Sequence, residues 1–184
     1  ALDVLRGGGP KALAEHCLAI AAEMLCLGGV ASDLTVGLQA ATESLVSGAG
    51  LRKFRELVAA QGGDVRYVDD PSLFGSAPIM RQVVASRAGY LSQVAADEGG
   101  LAVVALGGGR EVKGQAIDHS VGVVMHVRVG DRVEPGQPIF TVHARSLDES
   151  LVAEARIDGA LQFSQEPVAA LPLFYARIDA EDLV

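Results

Sequence analysis

Val121-Gly122-Val123-Val124-Met125-His126-Val127-Arg128-Val129 runs into Gly130-Asp131-Arg132-Val133-Glu134-Pro135-Gly136-Gln137-Pro138, and then into Ile139-Phe140-Thr141-Val142-His143-Ala144. The first run is valine-rich, and β-branched side chains suit a pleated, half-buried surface. Gly130-Asp131 supplies one turn and Glu134-Pro135-Gly136 another, because Gly reaches backbone conformations closed to other residues and Pro presets φ. From Pro138 to Ala144, Phe140 and Val142 alternate with polar neighbours at the period of two expected of a strand with one buried face. An apolar strand, a double turn and a second apolar strand predict a small β unit in this half of the chain.

Working outward, residues 81–86 and 89–95 read as short strands around a turn. Asp97 is placed to cap a short helix over residues 98–106, and Gly107-Gly108-Gly109-Arg110 follows as a loop. Ser146 and Glu149 have capping-box spacing for a helix reaching about Arg156, and residues 160–164 suggest a last strand. The G-D-x-V-x-x-G-Q-P turn is similar to that of hammerhead (barrel-sandwich) domains, which include biotinyl and lipoyl carriers. A carrier needs an exposed Lys at a hairpin tip. The chain has only Lys11, Lys53 and Lys113, and Lys113 lacks a Met-Lys-Met or Asp-Lys-Ala setting. A non-catalytic hammerhead binding or carrier module is therefore the alternative function.

The first part of the chain reads as helical. Leu2 and Leu5 belong to a helix tail stopped by Gly7-Gly8-Gly9, and Pro10 suits the first position of the next helix. Leu13, Leu18, Ala21, Met24 and Leu25 recur at helical spacing up to Gly28-Gly29. Ser32 can cap a third helix to Ser47 with Leu34, Leu38 and Leu45 inward, and Gly48 closes it. Leu51, Phe54, Leu57 and Val58 form the stripe of a fourth helix to Ala60. Residues 69–78 are rich in turn formers and read as a connection. The expected class is α+β, with helices over residues 1–78 and a β-rich domain over 79–184.

With 49% hydrophobic residues, the 184-residue chain can bury a core. Its formal charge of -8, with no clustered Lys or Arg, excludes a nucleic-acid groove and disfavours anionic membranes. Cys17 and Cys26, nine apart on one helix, lie about 13 Å from each other, too far for a disulfide. Both read as small buried side chains, which fits a reduced, cytoplasmic protein. No signal peptide or spanning segment is visible. The opening at Ala1, in mid-pattern and without Met, leads us to expect further sequence before it.

Several clusters look chemical. Gly7, Gly9 and Ala12 fit G-x-G-x-x-A with Asp33 downstream, but a dinucleotide site needs a strand before the first glycine. Gly107-Gly108-Gly109-Arg110 could hold an anion through backbone N–H groups and a guanidinium, but lacks P-loop spacing; a flexible or gating loop is the better reading. Asp118-His119-Ser120 has the residue types of a triad, but neighbours in an extended segment point to opposite faces. His16, His126 and His143 have no metal-ligand spacing. The carboxylates Glu15 with Glu23 and Asp69 with Asp70 read as solvated faces.

Several stretches in order resemble one family, the pyrimidine- and thymidine-phosphorylase group. They are Ala1-Leu2-Asp3-Val4-Leu5-Arg6-Gly7-Gly8-Gly9-Pro10, Glu23-Met24-Leu25, and residues 54–64 ending Gln61-Gly62-Gly63-Asp64. Asp69-Asp70-Pro71, Ala102-Val103-Val104-Ala105-Leu106-Gly107-Gly108-Gly109-Arg110 and Ile117-Asp118-His119-Ser120-Val121-Gly122 come next, with the Gly130–Pro138 turn after them. The resemblance reaches about Phe163. Its Q-G-G-D and D-D-P stretches favour the broad pyrimidine type; uridine versus thymidine preference stays open.

The resemblance implies the C-terminal portion of an enzyme that exchanges a pyrimidine base for phosphate, releasing base and a pentose 1-phosphate. It implies phosphate as co-substrate, a potassium ion in the pyrimidine type, a homodimer, and a cleft between a helical and an α/β domain that closes for catalysis. The phosphate loops, the pyrimidine-binding Arg and Lys and the potassium site of such enzymes lie before the point matching Ala1. No catalytic, cofactor or metal residue is therefore carried onto this chain. The loop Gly107, Gly108, Gly109, Arg110 is the part the family places nearest the cleft, as a cleft-closing element. Residues 172–184 match nothing in the family's pattern.

Overall fold

The computed structural model describes residues 1–178. The chain begins with helices α1 (Leu2–Leu5), α2 (Lys11–Leu27), α3 (Leu34–Val46), α4 (Ala49–Ala60) and α5 (Arg66–Asp69), then a 3-10 turn at Pro71–Leu73. Small residues decide how α2 and α3 meet. A Cβ on Gly37 would sit 2.8 Å from the Ala22 carbonyl oxygen, so only glycine allows this approach. The larger residues expected inward are displaced to the flanks: Leu34 is 38% and Leu38 45% exposed, while Leu45 is half-buried. Leu13, Leu18, Ala21, Met24 and Leu25 share a face, as their spacing implies. That face lines an open apolar groove of about 740 Å³ together with Leu45 and Phe54.

Two helix starts differ from the sequence reading. Pro10 is the extended N-cap of α2 rather than its first helical residue. Asp33, not Ser32, caps α3: its carboxylate accepts from the Thr35 and Val36 N–H groups at 2.9 and 3.0 Å. Asp33 wins because its backbone is extended there, which aims the side chain over the helix end; Ser32 donates to the same carboxylate. The Val36 N–H and the Ser32 hydroxyl hold the Asp33 carboxyl below its ordinary range.

The expected connection at 69–78 starts out anchored. Arg6 donates to the carbonyls of Val68 and Asp69 at 2.6 and 2.8 Å, and Arg55 pairs with Asp69 at 2.8 Å. By contacts the chain divides into two units, Ala1–Leu73 with Leu173 onward, and Phe74–Pro172. Residues 173–178, expected from the sequence in the 79–184 domain, group with the helices instead. Phe174 stacks on His16 with ring centroids 4.9 Å apart, and Arg177 pairs with Glu23 at 2.9 Å. Residues 179–184 lie outside the described residues.

The second unit holds β1 (Ile79–Val84), β2 (Gly89–Val94), α6 (Ala96–Val103), a π-type turn (Val104–Gly108), β3 (Gly122–Met125), β4 (Arg132–Val133), β5 (Pro138–Ala144), α7 (Leu147–Gly159) and β6 (Leu161–Ser164). These form two antiparallel three-stranded sheets, β1-β5-β3 and β4-β2-β6. With the helices this is an α+β chain. β1 and β2 are not a hairpin, although only four residues separate them. Each crosses to a different sheet, because both sheets bury one face on a shared core. In that core Leu91 of β2, Val133 of β4 and Phe140 and Val142 of β5 are fully buried, with Leu106 from the π-type turn and Ile157 of α7 against them. Positive φ at Gly130 and Gly136 makes the two turns that return the chain from β3 to β5 through β4.

The helix starts in this unit are mixed. Ser146 caps α7 by accepting the Glu149 N–H at 3.2 Å. Glu149 reaches back one residue further than a capping box requires, to the Arg145 N–H and guanidinium. Asp97 does not cap α6; Ala95 holds that position and Asp97 lies in the first turn.

Limited proteolysis checks the division of the chain. The exposed residues 73–76 between the 3-10 turn and β1 are expected to be cut first, leaving the unit from β1 to β6 intact. First cleavage within 130–138 would contradict it.

Candidate functional site

The end of α6 widens into the π-type turn, within which Gly107, with φ of 95° and ψ of 4°, reverses the chain. Close packing explains the three glycines. A Cβ on Gly108 would lie 2.8 Å from Val103 Cγ1, and one on Gly109 2.6 Å from Val104 Cγ2. The run therefore folds back tightly on its own helix, whereas the sequence alone suggested a mobile connection. Gly107 also faces a side chain distant in sequence: the Arg145 guanidinium lies 3.5 Å from where its Cβ would be.

The stretch from Arg110 to Ser120 is tied to itself. The Asp118 N–H donates to the Gly107 carbonyl at 2.9 Å, closing the base of the loop. Arg110 Nε donates to the Gln115 carbonyl at 3.0 Å. Gln115 Oε1 accepts from the Glu111 N–H at 2.9 Å and the Val112 N–H at 3.4 Å. Asp118 Oδ1 accepts from the Ser120 N–H at 2.9 Å and the Ser120 hydroxyl at 2.7 Å. Those two bonds, the hydroxyl's first, hold the Asp118 carboxyl below its ordinary range; the Arg145 and His119 charges add to this and partial burial opposes it. A lowered carboxyl stabilises the turn above the usual carboxylate pKa, and that contribution fades as acid protonates it.

A cavity of about 270 Å³ opens inside this loop, lined by Val104, Ala105, Gly107, Glu111, Gln115, Ala116, Ile117, Asp118 and Arg145. Arg145 is held from behind by Glu149 at 3.0 Å. The two sequence motifs 107–110 and 117–122 are thus joined at one place. Sequence reasoning missed Arg145 and Gln115. Arg145 meets Gly107 only through the fold, so no local signal existed. Gln115 stands four residues after Glu111 and was visible only as a polar loop residue.

The other candidates do not assemble. Gly7 and Gly9 follow helix α1 rather than a strand. Ser120 bonds Asp118 directly, and the exposed His119 stands outside that pair. Lys113 is exposed in the loop between the π-type turn and β3 rather than at a tip between paired strands. Cys17 is exposed, contrary to expectation, because the face of α2 that carries it borders the open groove; Cys26 is half-buried, and both are free thiols. His126 shares a 2.8 Å hydrogen bond with Thr141. Among the described residues no group of three or more His, Cys, Asp or Glu could hold a metal, and no helix is long and apolar enough to cross a membrane.

A family model described as the pyrimidine nucleoside phosphorylase C-terminal domain matches residues 90–164, from β2 to the end of β6. The pyrimidine-nucleoside phosphorylase of Geobacillus stearothermophilus is 34% identical over 178 residues, covering 97% of this chain and 41% of the relative. Residues 90–164 thus match that family's C-terminal domain, and the similarity extends over nearly the whole chain. The enzymes of that name from Staphylococcus haemolyticus and Bacillus subtilis are 36% and 39% identical over 165 and 144 residues. They match 85% and 78% of the chain. The chain spans well under half the length of these relatives, 38% and 33% for the latter two. The family match encloses the whole loop, its base at Gly107 and its backing residue Arg145.

Two glycine substitutions test this geometry. Gly107→Ala is expected to cost about 1 to 2 kcal/mol, because a Cβ is strained at positive φ. Gly99→Ala, inside α6 with nothing within 4 Å of the added carbon, should stabilise by about 0.5 to 1 kcal/mol. Urea unfolding of each variant reads both; equal effects would refute the assigned backbone.

Proposed function

We propose that the chain is the C-terminal part of an enzyme that reversibly phosphorolyses pyrimidine nucleosides. A phosphate oxygen replaces the base nitrogen at the anomeric carbon, giving free base and a pentose 1-phosphate. Similarity to pyrimidine-nucleoside phosphorylases over 97% of the chain carries this reading. Phosphate is the co-substrate, and the resemblance adds a potassium ion, a homodimer and a cytoplasmic location.

Within this reading Gly107, Gly108, Gly109 and Arg110 close the cleft rather than perform the chemistry. Arg110 is the only residue of the four with a directed side chain. Its Nε is occupied by Gln115, and among the described residues its two terminal nitrogens carry no hydrogen bond or ion pair. They form a fork suited to a carbonyl, carboxylate or phosphate. A contact made more fully in the closed state raises turnover by stabilising that state.

Steady-state kinetics of the full-length enzyme provide the test. Arg110→Ala should lower kcat about tenfold to a hundredfold if one charge-assisted bond is lost. Unchanged kcat and KM for nucleoside and phosphate would leave the loop as a plain connection. The chain alone, lacking a basic phosphate cradle, should show no turnover of uridine or thymidine; turnover free of host enzyme would refute that.

A further inference from the structure

We propose that Gln115 is a positioning residue that fixes where Arg110 points, so that the loop meets its target already formed. The inference rests on the cleft-closing reading of Arg110 and adds a second residue to it. Gln115 binds the other end of the loop three ways. Its side-chain oxygen takes the N–H groups of Glu111 and Val112, its own N–H donates to the Val112 carbonyl at 3.2 Å, and its carbonyl takes Arg110 Nε. One half-buried residue thus sets both the backbone just after Arg110, through its side chain, and the guanidinium itself, through its carbonyl. Occupying Nε removes freedom about the end of the arginine side chain and leaves the terminal fork facing outward. A long cationic side chain loses substantial rotamer freedom when it is ordered on binding, and a side chain already held loses less. The carbonyl contact is main-chain and survives substitution only if the loop keeps its shape, which the side-chain oxygen maintains.

A double-mutant cycle in the full-length enzyme tests this, with Gln115→Ala, Arg110→Ala, the double variant, and Gln115→Glu, which keeps an acceptor oxygen. Gln115→Ala should lower kcat about tenfold, the double variant should be no slower than Arg110→Ala, and Gln115→Glu should stay near wild type. Hydrogen exchange at the Glu111 and Val112 amides should quicken in Gln115→Ala and recover in Gln115→Glu. A purely structural role would give additive losses, and that result overturns the proposal. Wild-type turnover in Gln115→Ala with a slowed Arg110→Ala overturns this inference alone. Wild-type turnover in Arg110→Ala overturns it together with the cleft-closing reading.

Discussion

The burial of one face of β5 is the constraint on which the rest of the second unit depends. Phe140, Val142 and Ala144 have no exposed surface, and β1 and β3 are both paired to that strand. A slip of one residue would turn all three side chains to the opposite face, so the register is fixed. The same register places the residues at the end of the strand. Arg145 leaves β5 next to Gly107, and Ser146 starts α7 immediately after. The site is therefore set by a strand that contributes no polar group to it.

What the sequence disclosed was local. The period-two alternation of Phe140 and Val142, the Gly130 and Gly136 turns and the Ser146 cap are each decided within a few residues, and each stands where its chemistry implies. What it concealed depends on distant partners. β1 and β2 look like a hairpin until the second sheet supplies β2 with β4 and β6. Leu34 and Leu38 look like core until Gly37 draws α3 against Ala22. For the same reason the 107–110 run was visible as a motif, while its contacts with Arg145 and Asp118 were not.

The glycine run also shows how composition misleads about motion. Three consecutive glycines suggest freedom, but here Gly107 takes a positive φ, and a Cβ on Gly108 or Gly109 would strike Val103 or Val104. Order continues past them through the Asp118 bond to Gly107 and the Gln115 bonds. A loop so tied holds one shape, which is what the proposed cleft-closing role requires. The helices of the first unit contribute differently: they carry an apolar groove along α2.

The claim that this loop engages the cleft of a working phosphorylase is reached most directly by hydrogen exchange on the full-length protein, with and without uridine and phosphate together. The expected result is added protection at the amides of residues 110–115 in the presence of both, with the amides of the buried strand β5 unchanged. Exchange in 110–115 that is the same with and without both substrates would contradict it.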